Sequence, residues 1–297
     1  MPTAHNGDVG IHYELDGPTD AEPVVLLEGL GYGRWMWRWQ RERLAEDYRV
    51  VLPDNRGTGD SDVPEGPYSM ADMAADLEAV LADVEAADGT AGLDAVHVVG
   101  ASMGGMIAQQ YALDFDRAAT LTLFCTSHGG EESVPIPEDT AQTIMEVPEG
   151  YDERQTIKHR MEPAVSNGFY DEQPDLVERM VDWRLAGDAT EAGRNAQAAA
   201  VQAFDVSDRV GEIELPVRLL HGDADRVVPV ENGRMLAEKL PNAELFEVED
   251  GPHLFFVEGP DLAAERTREH LAANPIDGDT DHDPEAADAD SSAAGGN

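Results

Sequence analysis

The stretch Val98-Val99-Gly100-Ala101-Ser102-Met103-Gly104-Gly105-Met106 decides the fold. The apolar residues 95–99 read as a buried strand, and 104–113 carry the Ala/Ile/Leu face of a helix. Ser102 stands at the turn between them, with a glycine two positions to either side. Those glycines remove the Cβ atoms that would collide where a strand meets a helix this sharply. The turn then holds the serine hydroxyl at the carboxyl edge of a sheet. It also puts the Met103 amide at the positive end of a new helix. An idle serine in a glycine-rich turn is the competing reading, and the strand and helix patterns on either side argue against it.

Outward from this turn the chain alternates strand and helix. Toward the N-terminus, Asn6-Gly7 marks a tight hairpin before a strand at 9–15. The short apolar run 23–27 has the composition of a strand covered on both faces, and it ends in Glu28-Gly29-Leu30-Gly31-Tyr32-Gly33. A helix follows near Trp35, then a strand at 49–53 and the turn Asp54-Asn55-Arg56-Gly57-Thr58-Gly59-Asp60-Ser61. Residues 69–84 form a helix that Ser69 and Asp72 can cap. Past the serine turn comes a strand at 120–125. Alternation of this kind predicts an α/β fold with a parallel sheet and helices on both faces. The rhythm breaks at about Gly129. From there to about Asp208 only helices are expected, at 139–145, 153–165, 173–185 and 190–204, which reads as an inserted cap. The sheet resumes at 216–221 and 243–248, with helices at 231–240 and 260–272. The expected division is a core at 1–128, a cap at 129–210, the rest of the core at 211–273 and a disordered acidic tail at 274–297.

Charge is the unusual feature of the composition. Against 61 Asp and Glu stand 20 Lys and Arg, a formal net charge of −41, and only Lys158 and Lys239 are lysines. The tail from Asn274 holds seven of the acids, so most of the excess belongs to the folded body. Self-repulsion on this scale opposes compaction until salt screens it. The balance is similar to that of cytoplasmic proteins from organisms that keep molar salt inside the cell. It excludes nucleic acid as a natural partner. No apolar run approaches the ~18 residues of a membrane span, and the N-terminus has neither a basic start nor an apolar stretch. A cytoplasmic protein without a membrane partner is expected. Cys125 is the single cysteine, lies in an apolar run and reads as a buried inert thiol.

A serine hydroxyl is a poor nucleophile without a base, and the base needs an orienting acid. Of the nine histidines, His97 and His221 sit inside strands and read as structural. His253 follows the last strand, in Glu249-Asp250-Gly251-Pro252-His253, above the same sheet edge as Ser102. The acid comes from His221-Gly222-Asp223-Ala224-Asp225, directly after a strand. Asp225 has the better reach, with Asp223 as the fallback. The chain order Ser102, Asp225, His253 suits this sheet architecture. Donors for a developing oxyanion are the Met103 amide and the Leu30 amide, the latter freed by Gly29 and Gly31. Gly29, Tyr32, Trp37, His128 and Trp183 are candidates to line a substrate pocket, with plain core packing as the rival role for the aromatics. No Lys-Ser/Thr follows the glycines of 29–33, which argues against a phosphate loop. No metal or organic cofactor is called for.

These residues resemble the α/β-hydrolase family over about 6–125 and 217–272. Five motifs fall in order: Gly29-Leu30-Gly31, the Asp54-x-Arg56-Gly57-x-Gly59-x-Ser61 turn, the Gly100–Gly104 elbow, Asp225 and His253. Trp37 stands where members often carry a tryptophan. The nearest likeness is to small-molecule esterases, enol-lactonases, methyl esterases and cofactor-free haloperoxidases. The resemblance implies a mostly parallel eight-stranded sheet flanked by helices, an inserted helical cap, and cleavage of a small-molecule ester or lactone through an acyl-enzyme. Perhydrolase, carbon–carbon hydrolase and acyltransferase chemistry use the same triad, and a non-catalytic binding protein is the rival of another class. Two departures stand out: Glu28 where members often have His, and Pro252 directly before His253. Glu28 is expected to turn away from the oxyanion toward Arg56. Oligomeric state is left open.

Overall fold

Wholly buried five- and six-residue runs build the middle of the sheet. The computed structural model describes residues 2–88 and 93–276, so all but the first three residues of the tail lie outside it. Strands β1 (Thr3–Asn6) and β2 (Val9–Asp16) form the hairpin, turning at Gly7. β3 (Pro23–Leu27) leads through a 3-10 turn at Arg34–Trp37 into α1 (Arg38–Leu44), and β4 (Arg49–Pro53) follows. α2 (Met70–Asp88) begins as expected: the Ser69 and Asp72 side chains each accept the other's backbone amide, at 2.9 and 3.1 Å. β5 (Val96–Ala101) then runs into α3 (Met103–Asp114), and β6 (Ala118–Phe124) completes the first part.

Five helices intervene: α4 (Glu138–Met145), α5 (Glu153–Met161), α6 (Phe169–Glu172), α7 (Pro174–Gly187) and α8 (Glu191–Ala203). α5 stops short of the expected 165 because Pro163 cannot continue an α-helix, and a 3-10 turn at Glu162–Ala164 takes over. The sheet ends with β7 (Val217–Gly222), α9 (Val230–Lys239) and β8 (Ala243–Val248). A short α10 (Phe255–Glu258) that the sequence pattern did not suggest precedes α11 (Pro260–Ala273).

The eight strands are ordered β1-β2-β4-β3-β5-β6-β7-β8, antiparallel only at β1/β2 and β2/β4. Alternate residues of each strand face opposite sides. Val25, Leu27, Val98, Leu121 and Leu123 pack with α2 and α3 on one face. Val24, Leu26, Val99, Ala101 and Phe124 pack with α1 and α11 on the other. The register decides what meets at the carboxyl edge. Leu27 pairs with Gly100, Ala101 with Phe124, Phe124 with Leu220, and Gly222 with Val248. The loops after β3, β5, β6, β7 and β8 therefore emerge side by side. Among the described residues no helix is long and apolar enough to cross a membrane.

Candidate active site

Ser102 stands at the end of β5 with φ 54° and ψ −115°, a strained conformation for a residue with a Cβ. Two contacts enforce it. A Cβ on Gly100 would lie 2.2 Å from the Gly104 carbonyl oxygen, and one on Gly104 would lie 2.1 Å from that of Leu27. No side chain fits there, so the turn closes only with glycine at both places. The backbone of Ser102 is gripped by the end of β6: its amide donates to Phe124 O at 2.8 Å, and Thr126 Oγ1 donates to its carbonyl at 2.8 Å. Backbone held on both sides leaves the half-buried side chain of Ser102 at the edge.

His253 and Asp225 meet across the neighbouring loops. His253 Nδ1 donates to Asp225 Oδ2 at 2.7 Å, while Asp225 Oδ1 accepts the amides of Val227 and Val228 at 2.7 and 2.9 Å. Burial alone would raise the pKa of Asp225. The charge of His253 and the hydrogen bonds from His221 and His253 outweigh it, and the carboxyl titrates below the ordinary range. For His253, burial opposes the charged form, but the adjacent Asp225 carboxylate wins and raises its pKa well above the ordinary value. Asp223, the fallback, is exposed and does not reach the histidine. His221 accompanies the acid: its Nε2 bonds Val228 O at 2.8 Å and lies 3.5 Å from Asp225 Oδ2. Ser102 and His253 share no hydrogen bond in this structure, as is common before a substrate draws such groups together.

The Gly29-Leu30-Gly31 loop lies against the elbow, for a Cβ on Gly29 would sit 3.6 Å from Ser102 Cβ. The Gly31 amide donates to Gln197 Oε1 of α8 at 2.8 Å, and its carbonyl accepts the Ala189 amide at 3.0 Å. The Leu30 and Met103 amides donate to no protein group among the described residues, which leaves both open to an acceptor.

Several expectations are corrected. Arg56 binds Asp76 through Nε and Nη2 at 2.6 and 2.7 Å, not Glu28. Fully buried Glu28 takes the Asn55 amide on Oε2 at 3.2 Å and leaves Oε1 without a partner. Burial and nearby Asp54 push its pKa well above the usual carboxylate range, which favours its protonated form. A neutral acid does not repel an oxyanion. Trp37 has no exposed surface and packs against Phe124 and Phe256, with ring centroids 5.7 and 5.3 Å away, so it is core and not a pocket wall. His128 is likewise fully buried, bonded through Nδ1 to Gly129 O at the root of the inserted helices. Trp183 packs on Trp35 and Trp39 and under Arg38, which pins α7 to the α1 region. Tyr32 belongs to the loop itself, half-buried under Arg184 at 4.3 Å. Cys125 is buried as expected, and burial raises its thiol pKa. At φ +42° its Sγ comes within 4.8 Å of a His253 ring nitrogen and of an Asp225 oxygen. Only knowledge of that reversed backbone angle places the thiol there.

The sequence matches the alpha/beta hydrolase fold family over residues 22–260. It is 30% identical over 268 residues to the putative carbamate hydrolase RutD of Azorhizobium caulinodans, covering 88% of this chain and 95% of that one. The 3-oxoadipate enol-lactonase 2 of Acinetobacter baylyi is 26% identical over 260 residues, with 85% and 90% covered. Among solved structures, Est816, an N-acyl homoserine lactone degrading enzyme, superimposes with a TM-score of 0.75 at 28% identity, covering 90% and 99%. An eight-stranded, mostly parallel sheet with these motifs at its carboxyl edge, matched over most of its length, has one assignment: the chain is a hydrolase belonging to the alpha/beta hydrolase fold family.

Proposed function

We propose that the chain is a serine hydrolase that cleaves a carboxylic ester or lactone of a small molecule through an acyl-enzyme. The observation that carries this reading is the His253–Asp225 bond of 2.7 Å beside a serine held in a strained strand–helix turn. In this reading Asp225 fixes the imidazole with its proton on Nδ1, leaving Nε2 to take the Ser102 proton as Oγ attacks the carbonyl. The Leu30 and Met103 amides hold the oxyanion. His253 then passes its proton to the leaving oxygen, and water resolves the acyl-enzyme by the same steps in reverse roles. Helices α4–α8, within residues 129–210, act as the cap over this edge. The relatives' names, a carbamate hydrolase, an enol-lactonase and a homoserine lactone degrading enzyme, point to carbonyl substrates with heteroatom leaving groups.

Labelling by a fluorophosphonate probe in roughly 2 M KCl, where charge repulsion is screened within a few Å, tests the reading. Labelling of the wild type that disappears in Ser102→Ala is expected, followed by turnover on a panel of esters, lactones and carbamates. A folded wild type that never labels would overturn the mechanism and leave a binding protein on a hydrolase scaffold.

A further inference from the structure

Asp and Glu outnumber Lys and Arg by 61 to 20, so a half-buried arginine whose side chain has no carboxylate partner stands out. Arg194 of α8 is such a residue. It is half-buried, and its side chain has no ion pair or hydrogen bond among the described residues. Its location is set by its neighbours on the helix. Gly193 packs so closely on Gly57 that a Cβ there would lie 2.2 Å from the Gly57 carbonyl oxygen. One turn on, Gln197 binds the Gly31 amide and also donates to Arg56 O and Thr58 Oγ1, at 2.9 and 2.8 Å. Between these two anchors the Arg194 side chain lies across the oxyanion loop. A Cβ on Gly31 would stand 3.3 Å from its Cγ and 3.5 Å from its Nε.

The surroundings are cationic. Arg184 covers the ring of Tyr32, the next residue of the same loop, and Arg160 also acts on Arg194. Burial, with the charges of Arg160 and Arg184, holds the Arg194 guanidinium below its ordinary pKa. Two carboxylates also act on Arg194: Glu191, which is exposed, and the half-buried Asp188, which is already engaged. Its Oδ1 takes Gly33 N at 3.1 Å and Trp35 Nε1 at 2.8 Å, and its Oδ2 takes Arg184 at 2.6 Å. A half-buried guanidinium with no hydrogen-bonded carboxylate keeps donors free that a bound anion would satisfy.

We infer that Arg194 is a specificity-determining residue that receives a carboxylate carried on a short chain by the substrate's acyl group. The inference rests on the hydrolase reading above, because it takes Leu30 N–H, one residue from Gly31, as the place of the reacting carbonyl. A planar guanidinium pairs with a carboxylate in two parallel hydrogen bonds, and lysine cannot reproduce that geometry.

Mono-4-nitrophenyl glutarate and 4-nitrophenyl butyrate, compared in 2 M KCl, form an anionic and a neutral probe. The wild type is expected to favour the anionic ester by at least about tenfold in kcat/KM, as for a charge-assisted bidentate contact. In Arg194→Met the loss on the anionic ester should exceed that on the neutral one by a similar factor and appear mainly in KM, with Arg194→Lys recovering only part. A direct reading that needs no turnover is calorimetric binding of glutarate to the Ser102→Ala chain. Binding is expected, and Arg194→Met should abolish it. Equal losses on the two esters, or no glutarate binding, would overturn the carboxylate site. Hydrolysis of the neutral ester with no preference for the anionic one would do so while leaving the hydrolase reading intact. Failure of fluorophosphonate labelling would remove the hydrolase reading, and glutarate binding would then judge the anion site by itself.

Discussion

At the scale of single residues, the site pairs one group whose pKa is raised with one whose pKa is depressed. In the proposed mechanism His253 serves as a base only when neutral, and Asp225 raises its pKa well above the ordinary 6.5. The rate kcat/KM should therefore climb with pH through a midpoint above 6.5, and Asp225→Asn should lower both the midpoint and the plateau. A pH–rate profile on a neutral ester, whose own charge does not change, reads this directly. A midpoint at or below 6.5 would contradict it. A second pair of acids tells on stability. Burial raises Asp54 from 3.8 to about 6, against the hydrogen bond from the Asp60 amide and the charge of Arg34. The folded form thus holds this proton more tightly than the unfolded chain does. Its penalty is absent below pH 3.8 and complete above about 6, so this group makes stability fall as pH rises across that window. Melting temperatures at pH 4 and 6.5 should differ less in Asp54→Asn than in the wild type. Glu28 lies beside Asp54, and burial shifts it toward its protonated form, so Glu28→Gln, which keeps its shape, should retain most activity at pH 8. A collapse in rate would show that the Glu28 proton takes part in turnover.

Between elements, the contacts that matter are close approaches of backbone, and these explain what could be read early and what could not. The elbow was legible because glycine spacing, strand pattern and helix pattern all lie within one short stretch of sequence. The meeting of Asp225 and His253 was legible because each lies in a loop after a strand whose end the topology brings to the same edge. The partners of Glu28 and Arg56 were not, since Arg56 pairs with Asp76 on α2 and no local pattern ties a turn to a helix face. Trp37 and His128 failed as pocket residues for the same reason: apolar and ring side chains carry no sign of which side of a layer they end on. Least legible was Gln197, whose bond to Gly31 spans 166 residues and fastens α8 to the loop that carries Leu30. The glycine contact beside it supplies a test. Gly193→Ala would drive a methyl into the Gly57 carbonyl and lift α8 off the loop. Activity should fall by about tenfold or more with a loss of ~1–3 kcal/mol in stability, the usual cost of overpacking. A neighbouring exposed substitution, Asn195→Ala, should do neither. Kinetics and thermal melts of the two variants decide it, and a Gly193→Ala chain as active as the wild type would mean that α8 does not hold the loop.

Over the whole molecule the dominant quantity is charge. Carboxylates outnumber Lys and Arg by 61 to 20, so once the cations are paired most acids still face only other acids. Salt acts on the two populations with opposite sign. Screening weakens surface ion pairs such as Arg154–Asp182 and Arg234–Glu247, which contribute little to begin with. It also weakens repulsion among the unpaired acids, which is the larger sum. The buried pair Arg56–Asp76 is sheltered from both effects. Stability should therefore rise steeply as KCl goes from about 0.05 to 1 M, where the screening length shrinks from more than 10 Å to ~3 Å, and flatten above that. The rise should also shrink at pH 4, where many of the acids are protonated and there is less repulsion to screen. Melting curves along a KCl series at pH 7.5 and pH 4 measure both. A melting temperature that stays level or falls with KCl at pH 7.5 would mean that the paired charges outweigh the unpaired ones, and the composition would then describe an ordinary acidic surface with no dependence on salt.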